Sequence, residues 1–177
     1  MKRWALLCGV MLLFVGIASA QDDKVTVFGG YSYVHANTTG LVGTSTSFNG
    51  GSGSIAYQPI PLVSVVADFG GYHWNGSGAL AGADATLFSY LFGPKVELKI
   101  GPVTPFVQSL FGGTRLSACG GGCLSENAFS MALGGGLDWY ATRHIGVRLI
   151  QAEYYMTRFS SQTQNNARIS AGVAFRF

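Results

Sequence analysis

Two cysteines are the residues of this chain whose type and spacing most directly suggest chemistry. Cys119 and Cys123 are separated by three glycines. A C-x-x-C redox pair has a different spacing, and a four-ligand zinc site would need partners that the nearby sequence lacks. Because paired cysteines outside the cytoplasm tend to oxidise, we predict a Cys119–Cys123 disulfide that makes one surface loop rigid.

The three histidines do not form a convincing catalytic group. His35 and His73 lie at the ends of strand-like segments, and His144 follows a turn at Arg143. None has a serine and a carboxylate in a matching register, as nucleophilic catalysis requires. We therefore predict no enzyme activity, no catalytic residue, no bound cofactor and no metal.

The amino terminus has the pattern of a secretory signal peptide. Lys2 and Arg3 precede an apolar run over residues 4–17, and Ala18-Ser19-Ala20 forms a small-residue cleavage site. The apolar run is shorter than the roughly 20 residues of a spanning helix. We expect cleavage after Ala20.

Residues 1–20 are predicted to be the signal peptide and residues 21–177 a single mature domain. The composition of this domain limits its function. Of eleven basic residues, Lys2 and Arg3 fall in the leader, so nine remain against eight acidic ones. This balance argues against a nucleic-acid surface. Only 11% of residues are charged and mean hydropathy is +0.30, so lipid is the simplest environment for the apolar surface.

Eight strand-like segments divide the mature chain. They are Lys24–His35, Phe48–Gln58, Leu62–Trp74, Ala85–Lys99, Pro102–Leu116, Ser125–Tyr140, His144–Met156 and Ala167–Phe177. Short and long connections alternate between them, and the long ones are Ala36–Ser47, Asn75–Asp84, Ser117–Leu124 and Thr157–Asn166. This order predicts an all-β fold, an eight-stranded antiparallel up-and-down transmembrane β-barrel.

Charged side chains share one face of the predicted strands with small residues, and aromatic side chains share the other. A soluble lipocalin would show the opposite arrangement, with its apolar residues inside. Because a charge facing lipid costs up to ~2–4 kcal/mol, we place the charged residues inside the barrel. The predicted interior polar network is Asp68, Lys95, Glu97, Asp138, Arg148, Glu153 and Arg176. It is either a static plug or a gate for a narrow water path.

The seventh segment requires a β-bulge. With Arg148 inside, strict alternation would point Gln151 and Glu153 at lipid. A bulge near Leu149-Ile150 returns all three to the interior. The faces of the fifth segment are left unassigned.

Aromatic residues near the strand ends are predicted to form girdles at the two membrane interfaces. They are Tyr31, Tyr33, Tyr72, Trp74, Trp139, Tyr140, Tyr154, Tyr155 and Phe177. Stacking platforms for sugars or nucleobases are the alternative, but no basic residues cluster beside them.

The mature chain resembles the eight-stranded outer-membrane barrels of the OmpA-like and OmpX-like porin family. The resemblance rests on the signal peptide, Phe28–Tyr33, Arg148–Tyr155 and Val173–Phe177. It implies that the terminal alternation of Val173, Phe175 and Phe177 is an assembly signal for the barrel-insertion machinery. Unlike full-length OmpA-type proteins, the chain has no peptidoglycan-binding domain after Phe177, so we expect no cell-wall tether.

We expect a protein of the bacterial outer membrane, with both mature termini periplasmic. Its partners are outer-membrane lipid and, during assembly, the insertion machinery. We expect a monomer that binds no nucleic acid. The leading function is a structural or surface-interaction role with at most narrow pore activity. The alternatives are an adhesin that acts through the long loops and a lipid-modifying outer-membrane enzyme.

Overall fold

The computed structural model describes residues 24–36, 46–75, 84–119, 123–159 and 162–177. The predicted signal peptide and most of two long loops, residues 37–45 and 76–83, lie outside these ranges. The described residues contain no helix that is both long and apolar enough to cross a membrane.

Eight antiparallel strands form a closed barrel in sequence order. They are β1 (Val25–Ala36), β2 (Thr46–Ile60), β3 (Val63–Asn75), β4 (Asp84–Glu97), β5 (Val103–Cys119), β6 (Cys123–Tyr140), β7 (Ile145–Phe159) and β8 (Gln162–Arg176). Each strand pairs with its neighbours in sequence, and β8 closes the barrel against β1 from Thr26↔Arg176 to Ala36↔Asn166. The predicted eight-stranded up-and-down barrel is confirmed.

We call the two ends of the barrel the turn end and the loop end. The turn end carries the β2–β3, β4–β5 and β6–β7 connections together with the beginning of β1 and the end of β8. Two of its turns contain residues with positive φ, Leu62 at 72° and Gly101 at 61°. Glycine adopts this conformation at little cost, whereas Leu62 is held there against its preference by the surrounding hairpin.

The strands continue further toward the loop end than the sequence predicts. The segment Thr157–Asn166, predicted as a long loop, is mostly ladder, with Thr157↔Gln164 and Phe159↔Gln162 as pairs. That prediction was wrong, because polar Thr, Gln and Asn residues mark a loop by composition but pair well as the end of a hairpin.

Alternation of side chains sorts the barrel into an apolar outer face and a mixed inner face. On β4, Phe88, Tyr90 and Phe92 are exposed outside, whereas Lys95 and Glu97 are buried inside. On β5, whose faces the sequence left unassigned, the even-numbered residues from Thr104 to Thr114 point inward. The outer face is therefore a continuous apolar band around the barrel.

The predicted bulge in β7 is confirmed. Against β8 the register shifts between Arg148 and Gln151, and against β6 it shifts so that Leu149 has no partner. Arg148, Gln151 and Glu153 are all buried, while Leu149 and Ile150 are both about half exposed on the outer face. One extra residue thus keeps three polar side chains out of the apolar band.

Candidate functional site: the polar interior of the barrel

Arg168 is the centre of a charged cluster in the middle of the barrel. Its Nε donates to Glu153 Oε2 at 2.5 Å, and its Nη1 donates to Asp68 Oδ1 at 2.7 Å. Gln108 Nε2 donates to the second oxygen of Glu153 at 2.7 Å. The side chains of Arg168 and Glu153 have no solvent exposure. A buried cation is tolerated here because two carboxylates from different strands surround it.

Arg148 forms a second charged group nearer the turn end. Its Nε and Nη2 donate to the two carboxylate oxygens of Asp138 at 2.7 and 3.0 Å, and its Nη1 donates to Gln151 Oε1 at 2.5 Å. The guanidinium carbon lies 4.1 Å from the ring centre of Phe28 and 4.5 Å from that of Phe106. The cation is thus hydrogen-bonded along its edges and packed against rings from β1 and β5, two strands on opposite sides of the barrel.

Lys95 and Glu97 form the third ion pair, with Nζ and Oε2 2.6 Å apart. Both belong to β4, on the same inner face, and both are buried. Lys95 Nζ also lies 4.9 Å above the Phe106 ring. The last inward cation of β8, Arg176, stacks on Tyr140 with its guanidinium carbon 3.8 Å from the ring centre.

The buried charges of the described interior balance. Four cations, Lys95, Arg148, Arg168 and Arg176, face four carboxylates, Asp68, Glu97, Asp138 and Glu153. An interior with matched charges lowers the cost of removing each charge from water and offers no net field to attract ions of one sign.

Apolar side chains occupy the inner face toward the loop end. Nearest the loop end, the buried cluster contains Val34, Tyr72 and Leu87, and the partly buried Phe48 and Leu116 pack against it. Below them, Leu91, Leu110 and Ala132 continue the cluster into the middle of the barrel. The polar groups therefore give way to a packed apolar layer, as a barrel of this strand number allows.

Neutral hydroxyl groups complete the inner wall. Ser32 shares hydrogen bonds with Ser52 at 2.6 Å and with Ser170 at 2.5 Å. On the opposite side Ser130 donates to Thr114 at 2.6 Å, and Thr114 pairs with the Tyr155 hydroxyl. The serine and threonine hydroxyls tie neighbouring strands without occupying the volume that the charged side chains need, and the Tyr155 hydroxyl reaches from β7 past β6 to Thr114 on β5.

The structure places all seven residues of the predicted polar network inside the barrel, and it adds Arg168. Arg168 was not predicted, although the alternation that places Arg176 inside the barrel places Arg168 there as well. Two neutral partners of this cluster were not predicted either. Gln108 donates to Glu153, and the Tyr72 hydroxyl lies 3.3 Å from Arg168 Nη1.

Three tyrosines of the predicted girdles are interior residues instead. Tyr72, Tyr140 and Tyr155 are 2%, 8% and 1% exposed and point inward. The prediction was wrong because it used nearness to a strand end and ignored the parity of each position. Trp74 shares the inward parity of Tyr72 and is half-buried. The exposed aromatic residues Tyr31, Trp139, Tyr154 and Phe177 do lie on the outer face.

The remaining predicted residues lie away from the interior. The predicted assembly signal is exposed on the outer face, with Val173 and Phe175 on β8 and Phe177 directly after it. The backbone pairs Cys119 with Cys123 as register partners at the ends of β5 and β6. His35, His73 and His144 are exposed. No group of three or more histidine, cysteine or carboxylate side chains capable of holding a metal occurs within the described ranges.

Comparison with known proteins gives a fold and no sequence relative. No protein-family model matches the chain, and no curated protein matches it significantly in sequence. Among solved structures, Neisserial surface protein A superposes with a TM-score of 0.72 at 16% identity, over 86% of this chain and 97% of that one.

Two further outer-membrane proteins have similar structures. The attachment invasion locus protein Ail of Yersinia pestis gives a TM-score of 0.64 at 17% identity, over 89% of this chain and 100% of that one. OprG from Pseudomonas aeruginosa gives 0.61 at 12% identity, over 88% and 96%. The closed barrel, its apolar outer face and these superpositions agree, and the chain has the fold of the eight-stranded outer-membrane β-barrels.

Proposed function

We propose that the protein is an integral outer-membrane barrel with a structural or surface-interaction role and at most narrow pore activity. The observation that carries the proposal is the combination of an exposed apolar outer face with an interior filled by paired charges. Phe88, Phe129 and Leu133 are each about half exposed, which a soluble protein would not sustain around its whole circumference.

The packed interior supports a structural role over a transport role. At the level of Arg148 the lumen is occupied by the guanidinium and the rings of Phe28 and Phe106. Toward the loop end, apolar side chains such as Leu87 and Val34 take over. A water path through the barrel would have to displace both layers.

The topology supports the rest of the proposal. In barrels of this kind the turns face the periplasm and the longer connections face outward, so both mature termini are proposed to be periplasmic. Complete pairing of β1 with β8 leaves no free strand edge for another copy, which favours a monomer. The proposed contact for the insertion machinery is the exposed end of the chain, Val173 and Phe175 on β8 and Phe177 after it. No enzyme activity is proposed, because the sequence offers no serine and carboxylate in register with any of the three histidines.

Two measurements test this proposal. Membrane fractions are run on gels with and without heating, and a folded barrel is expected to migrate faster in the unheated sample. Purified protein is then recorded in planar bilayers. Little or no steady conductance is expected, and a large steady conductance would contradict the packed interior.

Surface recognition is a second candidate function that one feature of the hairpins favours. β8 pairs with β1 only as far as Asn166 but continues to Gln162 with β7 as its partner. The β7–β8 hairpin therefore projects beyond its neighbour β1 at the loop end and presents residues to the outside. Ail, named as an attachment invasion locus protein, shows that this fold is compatible with such a role.

Adhesion is tested by deleting the tip of that hairpin. Bacteria that display the intact barrel are compared with bacteria that display a variant lacking residues 160–163, at matched surface levels. Loss of host-cell binding only in the variant supports surface recognition through this hairpin, and unchanged binding removes it.

A further inference from the structure

Two buried polar atoms at the turn end have no hydrogen-bond partner among the described residues. They are Nε of Arg176 and the hydroxyl of Tyr140. Arg176 is 7% exposed and Tyr140 is 8% exposed, so water reaches neither side chain freely. Arg176 is the last residue of β8, and Tyr140 is the last residue of β6. The two groups are also in contact, since the guanidinium stacks on the phenol ring.

The free atom of Arg176 belongs to the part of a guanidinium that recognises oxyanions. Nε and the neighbouring Nη group form a planar fork that can donate two parallel hydrogen bonds to a carboxylate or a phosphate. An unpartnered buried donor of this kind costs about 1–3 kcal/mol, and more when it is charged. A bound oxyanion would remove this cost.

The charges at the turn end leave one positive charge in excess. Arg148 uses both oxygens of Asp138, and Lys95 is paired with Glu97. Among the ion pairs of the described side chains, none includes Arg176. The inward register partner of Arg176 on β1, Thr26, is neutral, and Glu97, the buried carboxylate whose charge acts on Arg176, is already paired with Lys95. Over the whole described interior this excess is offset by the two carboxylates that surround Arg168, so an anion at the turn end would act locally, by accepting from the unpartnered Nε of Arg176.

The Tyr140 ring is held in position by a glycine on the next strand. Gly146 is the register partner of Tyr140, and a Cβ at Gly146 would lie 2.6 and 2.8 Å from two ring carbons. Only glycine lets the ring lie flat against β7, where its face meets the guanidinium. The position of the phenol hydroxyl is therefore fixed by the fold.

We propose that Arg176 and Tyr140 form a binding site for one oxyanion, a phosphate or a carboxylate, inside the turn end of the barrel. The guanidinium fork of Arg176 binds two anion oxygens, and the Tyr140 hydroxyl donates to the same anion. The anion comes either from solution or from the chain itself, since Asp22 and Asp23 lie three and two residues before Val25, where the strand that pairs with Arg176 begins. The site requires only a folded barrel and does not rest on the proposed function.

The test uses inorganic phosphate and the refolded mature chain in detergent micelles. The ¹⁵N signal of Arg176 Nε is assigned by its loss in Arg176→Lys and is followed during a phosphate titration at constant ionic strength. A saturable shift with one site per barrel is expected. Tyr140→Phe keeps the ring and should weaken phosphate binding about tenfold, which corresponds to one lost hydrogen bond.

A matched control separates the site from a general effect of losing a buried hydroxyl. Tyr72→Phe removes another inward phenol, the one beside Arg168, and should leave the phosphate affinity unchanged. Because Tyr140→Phe alters no charge and no strand residue of β8, its folding is not in question even if Arg176→Lys assembles poorly.

The same titration on an Asp22→Asn/Asp23→Asn variant identifies the source of the anion. Phosphate binding that appears only in this variant, and that weakens again with Tyr140→Phe, shows that a carboxylate of the chain normally occupies the site. Binding in both backgrounds shows that a dissolved anion does. Absence of a saturable shift in both backgrounds, or a shift that Tyr140→Phe leaves unchanged, overturns the proposal.

Discussion

Arg168 on β8 and Asp68 on β3 are joined across the inside of the barrel, with Nη1 donating to Oδ1 at 2.7 Å. Because β1 and β2 lie between these two strands in the sheet, the contact spans the lumen instead of linking neighbours. The same guanidinium binds Glu153 on β7. One buried cation thus connects three strands, and the middle of the barrel is filled by this network.

Replacing Arg168 by methionine should destabilise the barrel by about 3–5 kcal/mol. The substitution keeps much of the volume but leaves Asp68 and Glu153 buried without their cation. Urea unfolding in lipid vesicles, followed by tryptophan fluorescence, measures the loss. The triple variant Arg168→Met/Asp68→Asn/Glu153→Gln should recover most of it, because no carboxylate that has lost its cation remains charged.

The control for this series is Arg158→Met, which removes an exposed arginine from β7. Its unfolding free energy should stay within ~0.5 kcal/mol of the unaltered protein. If the triple variant were as unstable as Arg168→Met alone, lost packing and not buried charge would be the cause.

Deletion of Leu149 should leave a folded barrel. Leu149 and its neighbour Ile150 both face outward, so removing one of them restores strict alternation and keeps Arg148 and Gln151 inside. Heat-modifiable gel migration after refolding reports the outcome. The bulge is then a tolerated irregularity whose removal preserves both faces of β7.

Deletion of Leu133 from the regular part of β6 is the matched contrast. It should prevent folding, because one half of the strand must turn over and present either Ser130 or Asp138 to lipid. A folded barrel from this variant would show that register is set less strictly than the two faces suggest.

Alanine in place of Gly136 should destabilise the barrel by about 1–3 kcal/mol. A Cβ there would lie 2.5 Å from the Ile150 carbonyl oxygen and 2.7 Å from a ring carbon of Phe106, its register partner. Gly71→Ala is the control, since a Cβ at Gly71 meets nothing within 4 Å. That variant should be neutral or stabilising by ~0.5–1 kcal/mol, as alanine is less flexible in the unfolded chain. Equal effects of the two substitutions would exclude the contact with Phe106 as the cause.

The period of two along each strand made most of the fold predictable from sequence. It located the eight strands, the inner face of β4 and even the bulge after Arg148, because polar residues at the wrong parity require one. The same rule, applied to Ile169, would have placed Arg168 inside. The ion pairs were not predictable, since a partner such as Asp68 for Arg168 depends on how the barrel closes across the lumen.

Hairpin ends were the least predictable part of the fold. Thr157–Asn166 has the composition of a loop, but its backbone pairs almost to the tip. A polar composition at such positions indicates exposure to water. Backbone pairing depends instead on the register that the two strands have already adopted. The same reasoning bears on the two cysteines, which end a hairpin in the same way.

A disulfide between Cys119 and Cys123 should form without being required for folding. The two residues are register partners at the ends of β5 and β6, so the backbone already brings them together. Mass spectrometry of the protein purified without reductant should show a mass about 2 Da below that of the reduced chain, from loss of two thiol hydrogens. The Cys119→Ser/Cys123→Ser variant should fold with a loss of at most ~2 kcal/mol, because the closed loop is short. Cys119→Ser alone controls for loss of a thiol, and two free thiols in the purified protein would contradict the prediction.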